Sequence, residues 1–328
     1  MTEKTKVAIV GYGNLGRGAQ TAIARTNDLQ LVAVFSRRDP AQVSLVDDTV
    51  PVYPLDRIDE FADQIDVVIL CGGSKNDLPV QGPDLAARFN TVDSFDTHAR
   101  IPEYFQEVDE AARKAGTTAL ISVGWDPGLF SINRMLGEAI LPDGQTDTFW
   151  GKGLSQGHSD AVRRVSGVKA GVQYTLPSES AMERVRRGEQ PELTTRERHV
   201  RECYVVLEDG ADAQEVRQAI VTMPNYFADY DTTVHFIDQA TLDRDHADMP
   251  HGGFVIRGGR TGNNSSQIME FSLKLQSNPE FTASVLVAYA RAVHRMSRLG
   301  QQGAHTVYDV APGLLSPRSA AELRRDLL

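Results

Sequence analysis

Lys6-Val7-Ala8-Ile9-Val10 runs directly into Gly11-Tyr12-Gly13-Asn14-Leu15-Gly16-Arg17. The first five residues read as a buried strand and the rest as the turn that opens a helix. Glycines in the pattern G-x-G-x-x-G at such a junction mark a dinucleotide fold. Gly11 permits the tight turn, Gly13 lets a pyrophosphate approach the backbone, and Gly16 lets helix pack closely on strand. The first N–H groups of the helix then point at the phosphates. A second strand, Leu31-Val32-Ala33-Val34-Phe35, ends in Ser36-Arg37-Arg38. An acidic residue there would bind the ribose hydroxyls of NAD. Two guanidinium groups and a hydroxyl suit a 2′-phosphate, which points to NADP(H). The plainer alternative for Arg37 and Arg38 is a solvated turn.

Working outward, strands are expected at 6–10, 30–35, near 51–53, and at 67–71, 90–93 and 118–123. Their Val/Ile/Leu-rich cores suit a sheet buried on both faces. Ile101, Tyr104, Phe105, Val108, Ala111, Ala112 and Ala115 recur with helical period, and Gly116 is a natural stop. Strand–helix alternation implies an α/β, Rossmann-like, doubly wound parallel sheet. Its strand ends at Gly11–Gly16, Ser36–Arg38, Cys71–Ser74, Asp93–Asp96 and Gly124–Gly128 are the expected ligand positions. After Pro127-Gly128 a helix over 130–140 leads to a glycine-rich run, 150–160. Alternating stretches at 199–207 and 232–237 follow, and they suggest a second domain of α+β type. Asn278-Pro279 signals the cap and first position of a helix over about 280–299. The expected division is a dinucleotide-binding domain over 1–127, a second domain over 128–278, and a helical tail over about 279–328 packed back on the first.

The chain has 328 residues and a net charge of −10, with 41% hydrophobic and 24% charged residues. This composition suits a soluble enzyme and argues against a general nucleic-acid binder. No apolar run is long enough to cross a bilayer. The chain enters its first strand within a few residues, so no secretory leader is expected and a cytoplasmic location is. Cys71 and Cys203 form no C-x-x-C pair and are expected as reduced thiols. The sequons in Asn263-Asn264-Ser265-Ser266 are expected to be chance. No His/Cys spacing of a metal site occurs.

Asp96 and Asp126 are candidates for acid/base work beside a hydride acceptor. Amine oxidation needs the ammonium deprotonated before hydride leaves, and then a water activated against the imine. Each could equally be a structural cap or turn residue. Arg201 alternates with His199 on one strand face and could fork a carboxylate or form a plain surface pair. The glycines of 151–157 could cradle an anion or serve as a hinge.

Several separated blocks carry a resemblance: Val10 to Arg17; Phe35-Ser36-Arg37-Arg38; Gly124-Trp125-Asp126-Pro127-Gly128; Phe149-Trp150-Gly151 with Leu154-Ser155-Gln156-Gly157-His158-Ser159-Asp160; Gln173 to Ser178; and Met249-Pro250-His251-Gly252-Gly253. Over nearly its full length the chain resembles the meso-diaminopimelate D-dehydrogenases. The resemblance implies reversible NADP-dependent oxidative deamination of meso-2,6-diaminopimelate at its D-centre. The products are L-2-amino-6-oxopimelate, the open form of tetrahydrodipicolinate, and ammonia, in lysine and diaminopimelate biosynthesis. It further implies a homodimer built through a substrate-binding and dimerisation domain. The implied cofactor contacts are Gly11, Tyr12, Gly13, Asn14, Leu15, Gly16, Ser36, Arg37, Arg38, Cys71, Gly72, Gly73, Ser74, Ser94, Phe95, Asp96, Val123, Gly124, Trp125, Asp126 and Pro127. The implied substrate contacts are Asp96, Asp126, Trp150, Gln156, Gly157, Thr175, Arg201, His251 and Asn278. Asp96 and Asp126 would face the D-centre, while Thr175, Arg201, His251 and Asn278 would hold the L-end. Gly72 and Lys75-Asn76 depart from the family pattern, and Gly258–Asn264 looks longer than it. A dihydrodipicolinate-reductase-like imine reductase and a non-catalytic NADPH-binding regulator are the alternatives.

Overall fold

A computed structural model describes residues 4–263 and 265–328. Asn264, with the sequon it heads, lies outside the described residues. The chain divides into two compact units, one comprising residues up to Ile132 with Pro279–Leu328, the other Asn133–Asn278.

The first unit is built on β1 (Thr5–Val10), β2 (Leu29–Ser36), β3 (Val52–Pro54), β4 (Val67–Leu70), β5 (Thr91–Asp93) and β6 (Thr118–Leu120), with α1 (Asn14–Ala24), α2 (Leu78–Ala86) and α3 (Ile101–Ala115) between them. α4 (Leu129–Ile140) follows and carries the chain from the first unit into the second. The residues of β1 and β4 from Val7 to Val10 and from Val67 to Leu70 are wholly buried, as a two-faced sheet requires. One apolar face of this sheet packs against α1 and a long C-terminal helix; the other packs against α2 and α3. In α3 the buried residues are Tyr104, Val108 and Ala112, one turn apart, and Gly116 closes the helix with φ +77°.

The second unit begins with β7 (Asp143–Trp150), β8 (Gly153–Leu154), α5 (Gln156–Arg163), β9 (Val168–Pro177), α6 (Glu179–Arg186), α7 (Thr195–Arg198) and β10 (His199–Leu207). It continues with α8 (Ala213–Val221), β11 (Asp231–Phe236), α9 (Gln239–Asp245), β12 (His251–Gly262) and β13 (Ser265–Leu275). It holds a mixed four-stranded sheet in the order β11-β10-β9-β8 and an antiparallel three-stranded sheet in the order β13-β12-β7.

The tail returns to the first unit as α10 (Asn278–Arg298), β14 (Gly303–His305) and α11 (Ala320–Leu327). Ala283, Leu286, Ala290 and Val293 of α10 join the core over β1. The tail is therefore more than helical. β14 pairs in parallel with β6 and completes a seven-stranded parallel sheet in the order β14-β6-β5-β4-β1-β2-β3. Three residues of sequence are too short to show strand period, so β14 was not legible beforehand. Asn278 lies inside α10 rather than at its cap, a shift of one residue. The glycine-rich 151–157 run contains β8 and the first turn of α5.

Candidate active site

In the first unit the carboxyl end of the sheet carries a cavity of about 460 Å³. Gly11, Tyr12, Gly13, Ser36, Arg37, Arg38, Cys71 and Gly72 line it, all of them expected cofactor contacts. Gly11 adopts φ +89°, which L side chains disfavour. A Cβ on Gly16 would stand 2.4 Å from the Gly11 carbonyl oxygen, whereas one on Gly13 would meet nothing within 4 Å. The turn thus demands Gly16 for its own packing and leaves Gly13 open for an approaching phosphate. Gly13 also heads α1 without a side-chain cap, so the first N–H groups of the helix, on Asn14, Leu15 and Gly16, are suited to an anion. These features fit a dinucleotide.

Tyr12 contributes backbone rather than ring to this wall. Its ring belongs to the core, and its hydroxyl bonds Gln20 and accepts the Val46 N–H at 2.9 Å. The two arginines differ. Arg38 donates to the Tyr12 carbonyl, and Ser36 Oγ accepts the Arg38 N–H at 3.0 Å. Arg37 pairs with Asp77 at 2.6 Å while two-thirds exposed. Asp77, unremarked in the sequence, also accepts the Gly73 N–H at 2.9 Å and so ties the β4 end to the β2 end. A Cβ at Gly72 would stand 2.6 Å from Asp77 Cβ, a packing reason for glycine at this departure from the family pattern. Cys71 is a free thiol pushed up to about 12 by burial, unsuited to nucleophilic work.

Asp96 and Asp126 follow β5 and β6, adjacent parallel strands, so both leave the same end of one sheet. Asp96 is exposed, and its N–H donates to Ser74 Oγ at 3.1 Å. This bond joins the 71–74 and 94–96 segments. Asp126 is half-buried in the turn that a Trp125–Gly128 bridge closes, and the Asp126–Pro127 peptide is cis. Ser94 is half-buried and Phe95 buried beside Tyr104, with ring centroids 4.1 Å apart. Val123, Gly124 and Trp125 are buried along the segment that leads to Asp126 and Pro127.

In the second unit Arg201 and Thr175 are cross-strand partners on β10 and β9, and the guanidinium donates to Thr175 Oγ1. Arg201 is only 7% exposed. Its guanidinium carbon lies 3.9 Å from the centroid of the Tyr230 ring, and its Nε has no partner among the protein atoms. Burial pushes this guanidinium below its ordinary pKa. A buried cation with an unpartnered Nε and no carboxylate among the described residues suits an anion. The surface-pair alternative is thereby set aside.

Of the other expected substrate contacts in this unit, His251 connects to that pair, and Asn278 and Gln156 connect to Met249. Gly153 pairs with Thr175 across β8 and β9, and the His251 ring packs on Gly153. Leu154 N–H donates to the Pro250 carbonyl at 2.9 Å, and Asn278 N–H to the Met249 carbonyl at 3.0 Å. Gln156 reaches Met249 Sδ at 3.4 Å. Gly157 is exposed in the first turn of α5, with nothing within 4 Å of its Cβ position.

The Trp150 N–H donates to His199 Nε2 at 2.8 Å, and the two rings stack with centroids 5.4 Å apart. As an acceptor His199 must be neutral, and burial with Arg201 nearby pulls it down to about 4. Burial and Arg201 also lower His158 to about 4, and its Nδ1 lies 2.8 Å from Ser155 Oγ. Sequence reasoning named neither Tyr230 nor His199 as site residues. The alternation that places His199 on the face of Arg201 was a usable signal; nothing local marks Tyr230. Among the described residues no cluster of three His, Cys, Asp or Glu could hold a metal ion, and no helix is long and apolar enough to cross a membrane.

Comparison with known proteins agrees with this geometry. The family model "Diaminopimelic acid dehydrogenase C-terminal domain" matches residues 124–277. A meso-diaminopimelate D-dehydrogenase of Lysinibacillus sphaericus is 65% identical, over 98% of this chain and 99% of that protein. The crystal structure of the Corynebacterium glutamicum DAP dehydrogenase in complex with DAP is 50% identical, covers 100% of both chains and superposes with a TM-score of 0.90. An engineered D-amino acid dehydrogenase bound to NADP+ is 48% identical, covering 99% of this chain and 100% of its own, with a TM-score of 0.84. A parallel dinucleotide sheet, a buried arginine on a second sheet and this degree of identity together place the chain in the meso-diaminopimelate D-dehydrogenase family.

Proposed function

We propose that this enzyme carries out reversible, NADP-dependent oxidative deamination of meso-2,6-diaminopimelate at its D-centre. The products are L-2-amino-6-oxopimelate and ammonia, which places it in lysine and diaminopimelate biosynthesis. The observation that carries the substrate assignment is the buried Arg201, over the Tyr230 ring and bonded to Thr175, with no carboxylate paired to it among the described residues. Such a fork suits the carboxylate of an amino-acid end. His251 and Asn278 complete the clamp on the L-end, and Trp150, Gln156 and Gly157 border the substrate.

Gly11 to Gly16, Ser36 to Arg38, Cys71 to Ser74, Ser94 to Asp96 and Val123 to Pro127 would hold the cofactor, which when bound supplies the hydride acceptor. Asp96 and Asp126 attract the ammonium of the D-centre. One carboxylate takes a proton from it so that hydride can leave the adjacent carbon. A carboxylate then activates water against the resulting imine, and collapse releases ammonia and the ketone.

We also propose a homodimer joined through the second unit. β13 is an edge strand, and Met269, Phe271 and Leu273 alternate, half-buried, along it. Arg257, the cross-strand partner of Met269, packs its stem where a Cβ on Gly137 of α4 would stand, and Met135, Leu136 and Ile140 of that helix are exposed. An apolar edge of this kind calls for a cover, and a second copy supplies one by symmetry. Sedimentation of the pure protein at twice the monomer mass is the expected result. Reduced thiols at Cys71 and Cys203 favour a cytoplasmic location.

The deciding experiment mixes pure protein with meso-diaminopimelate and NADP+ and follows the absorbance of the reduced cofactor. Ammonia-dependent reversal is expected. Turnover of a cyclic imine alone would favour a reductase, and cofactor binding without turnover a regulator; either result would overturn the proposal.

A further inference from the structure

Asp93 ends β5 and is 1% exposed. It faces no cation among the described residues, so its carboxylate is buried without an ion pair. Three donors converge on it. Oδ1 accepts the Phe95 N–H at 2.9 Å and the Ser122 N–H at 3.1 Å, and Oδ2 accepts the Tyr104 hydroxyl at 2.7 Å. The Asp93 carbonyl takes a fourth, the Val123 N–H at 2.8 Å. The β5–β6 ladder runs through Thr91–Ala119 and Val92–Leu120 and stops there. The side chain of the next residue then does what the ladder no longer can, joining the segment before Asp96 to the segment before Asp126.

Two further features show that this junction is specific. Ser122 holds φ +56° although it is not glycine, a conformation that persists only where its surroundings impose it. The Tyr104 hydroxyl occupies the space of a Gly82 side chain, 2.0 Å from where that Cβ would be, and its ring stacks on Phe95. The clamp is thus held from behind by α2 and α3. Burial pushes the Asp93 carboxyl up to about 6, and the three donors oppose that shift. A carboxylate kept buried against this cost, the one buried ionisable side chain among the described strand residues of this sheet, calls for a role.

We propose that Asp93 is a positioning residue for the reaction, latching the Asp96-bearing and Asp126-bearing strand ends in one fixed relation. The inference rests on the reading that Asp96 and Asp126 serve the chemistry. Asp93 touches no reacting atom. It acts through the N–H groups of Phe95 and Ser122, and small misplacements of catalytic groups cost large factors in rate.

The test is stopped-flow formation of NADPH in the first turnover of the full-length enzyme with meso-diaminopimelate. Asp93→Asn keeps the shape but aims an amide donor where donors already point. Its first-turnover rate constant is expected to fall by at least about tenfold. Its amplitude at saturating NADP+ should stay near wild type, while its melting temperature falls because an amide donor now faces donors. Tyr104→Phe, which removes one of the three bonds, should lower the rate constant about threefold. A merely structural role would reduce the amplitude through inactive protein and leave the rate constant alone, and that pattern would overturn the proposal. So would a rate constant within twofold of wild type in Asp93→Asn or, should that variant not fold, in Tyr104→Phe. Asp96→Asn and Asp126→Asn separate the two levels. Full turnover by both would remove the underlying reading, whereas their failure beside an unaffected Asp93→Asn would remove only the latch.

Discussion

Replacing Arg201 by lysine tests the proposed clamp most directly. The guanidinium has one donor committed to Thr175 Oγ1 and its carbon 3.9 Å from the Tyr230 ring centroid, while Nε has no hydrogen-bond partner among the described residues. A substrate carboxylate can therefore take two parallel bonds from the remaining edge. Lysine offers a point charge, cannot stack as a plane, and supplies one bond of that pair. A hydrogen bond to a charged group contributes about 1.5–3 kcal/mol. At about 1.4 kcal/mol per factor of ten, its loss raises the Michaelis constant for meso-diaminopimelate about 10- to 150-fold. The affinity for NADP+ should change less than about twofold, since the assigned cofactor contacts lie in the other unit. At saturating substrate kcat should fall less than kcat/KM, because the clamp grips the end that does not react. Initial rates over a wide substrate range give both parameters. Arg201→Leu supplies the companion measurement. Burial disfavours the charge in the protein alone, so the melting temperature without substrate should hold or rise, while the stabilisation by added substrate disappears. An unchanged Michaelis constant in Arg201→Lys would place the guanidinium outside the site and refute the reasoning.

Changing Arg37 and Arg38 together to serine should lower the preference for NADP+ over NAD+, measured as a ratio of kcat/KM values, by about 10- to 100-fold; the exposure of Arg37 argues for the lower end. Gly13→Ala should weaken NADP+ binding and leave the melting temperature alone, because its Cβ meets nothing within 4 Å. Gly16→Ala should lower both, because its Cβ stands 2.4 Å from the Gly11 carbonyl oxygen. His199 is buried neutral with its pKa pulled down from 6.5 to about 4. The unfolded chain therefore takes up the proton first as pH falls, and stability present above pH 6.5 is lost down to about pH 4, amounting to about 3 kcal/mol. Asp93, raised to about 6, contributes with the opposite sign over part of that window, so the measurement is the difference in denaturant midpoint between wild type and His199→Gln across pH 4–7. A pH-independent difference would refute the assignment.

The sequence carried the dinucleotide sheet because its signals are local. A buried strand shows as an apolar run, and a glycine turn shows as spacing. α3 could be read to its terminal glycine for the same reason. β14 and the long β12–β13 hairpin could not. The first is three residues long, and the second alternates weakly because glycines interrupt both faces of β12 and Arg257 breaks one of them again. The residues of the candidate site separate along the same line. Gly11 to Gly16 and Ser36 to Arg38 identify themselves by position after a strand. Arg201 did not, since a strand arginine is usually a surface residue; only its burial and its contact with Tyr230, 29 positions away in the chain, show otherwise. Asp77, His199 and Tyr230 each matter through a partner distant in sequence, and no local pattern encodes such a partner. Asp93 is the sharpest case. In sequence it is one more polar residue at a strand end, and its three donors come from Phe95, Tyr104 and Ser122.

The charges assigned to the two ends of the substrate also bear on direction. Meso-diaminopimelate carries an ammonium and a carboxylate at each end, so a site with equivalent groups at both ends would accept the molecule either way round. Here the proposed contacts are unlike. Asp96 and Asp126 attract an ammonium and repel a carboxylate, whereas Arg201 with neutral donors does the reverse. The D-end meets carboxylates that can take its proton, and the L-end meets a guanidinium that cannot. Like-charge juxtaposition is costly, so discrimination comes as much from what each set rejects as from what it binds. In the proposed reading the buried Arg201 grips one end while the carboxylates stay nearer solvent. The clamp needs rigidity to present one stereochemical face, and the reacting end needs water for the hydrolytic half of the reaction. Asp96 is exposed and Asp126 half-buried, so in this reading water can reach the reacting end.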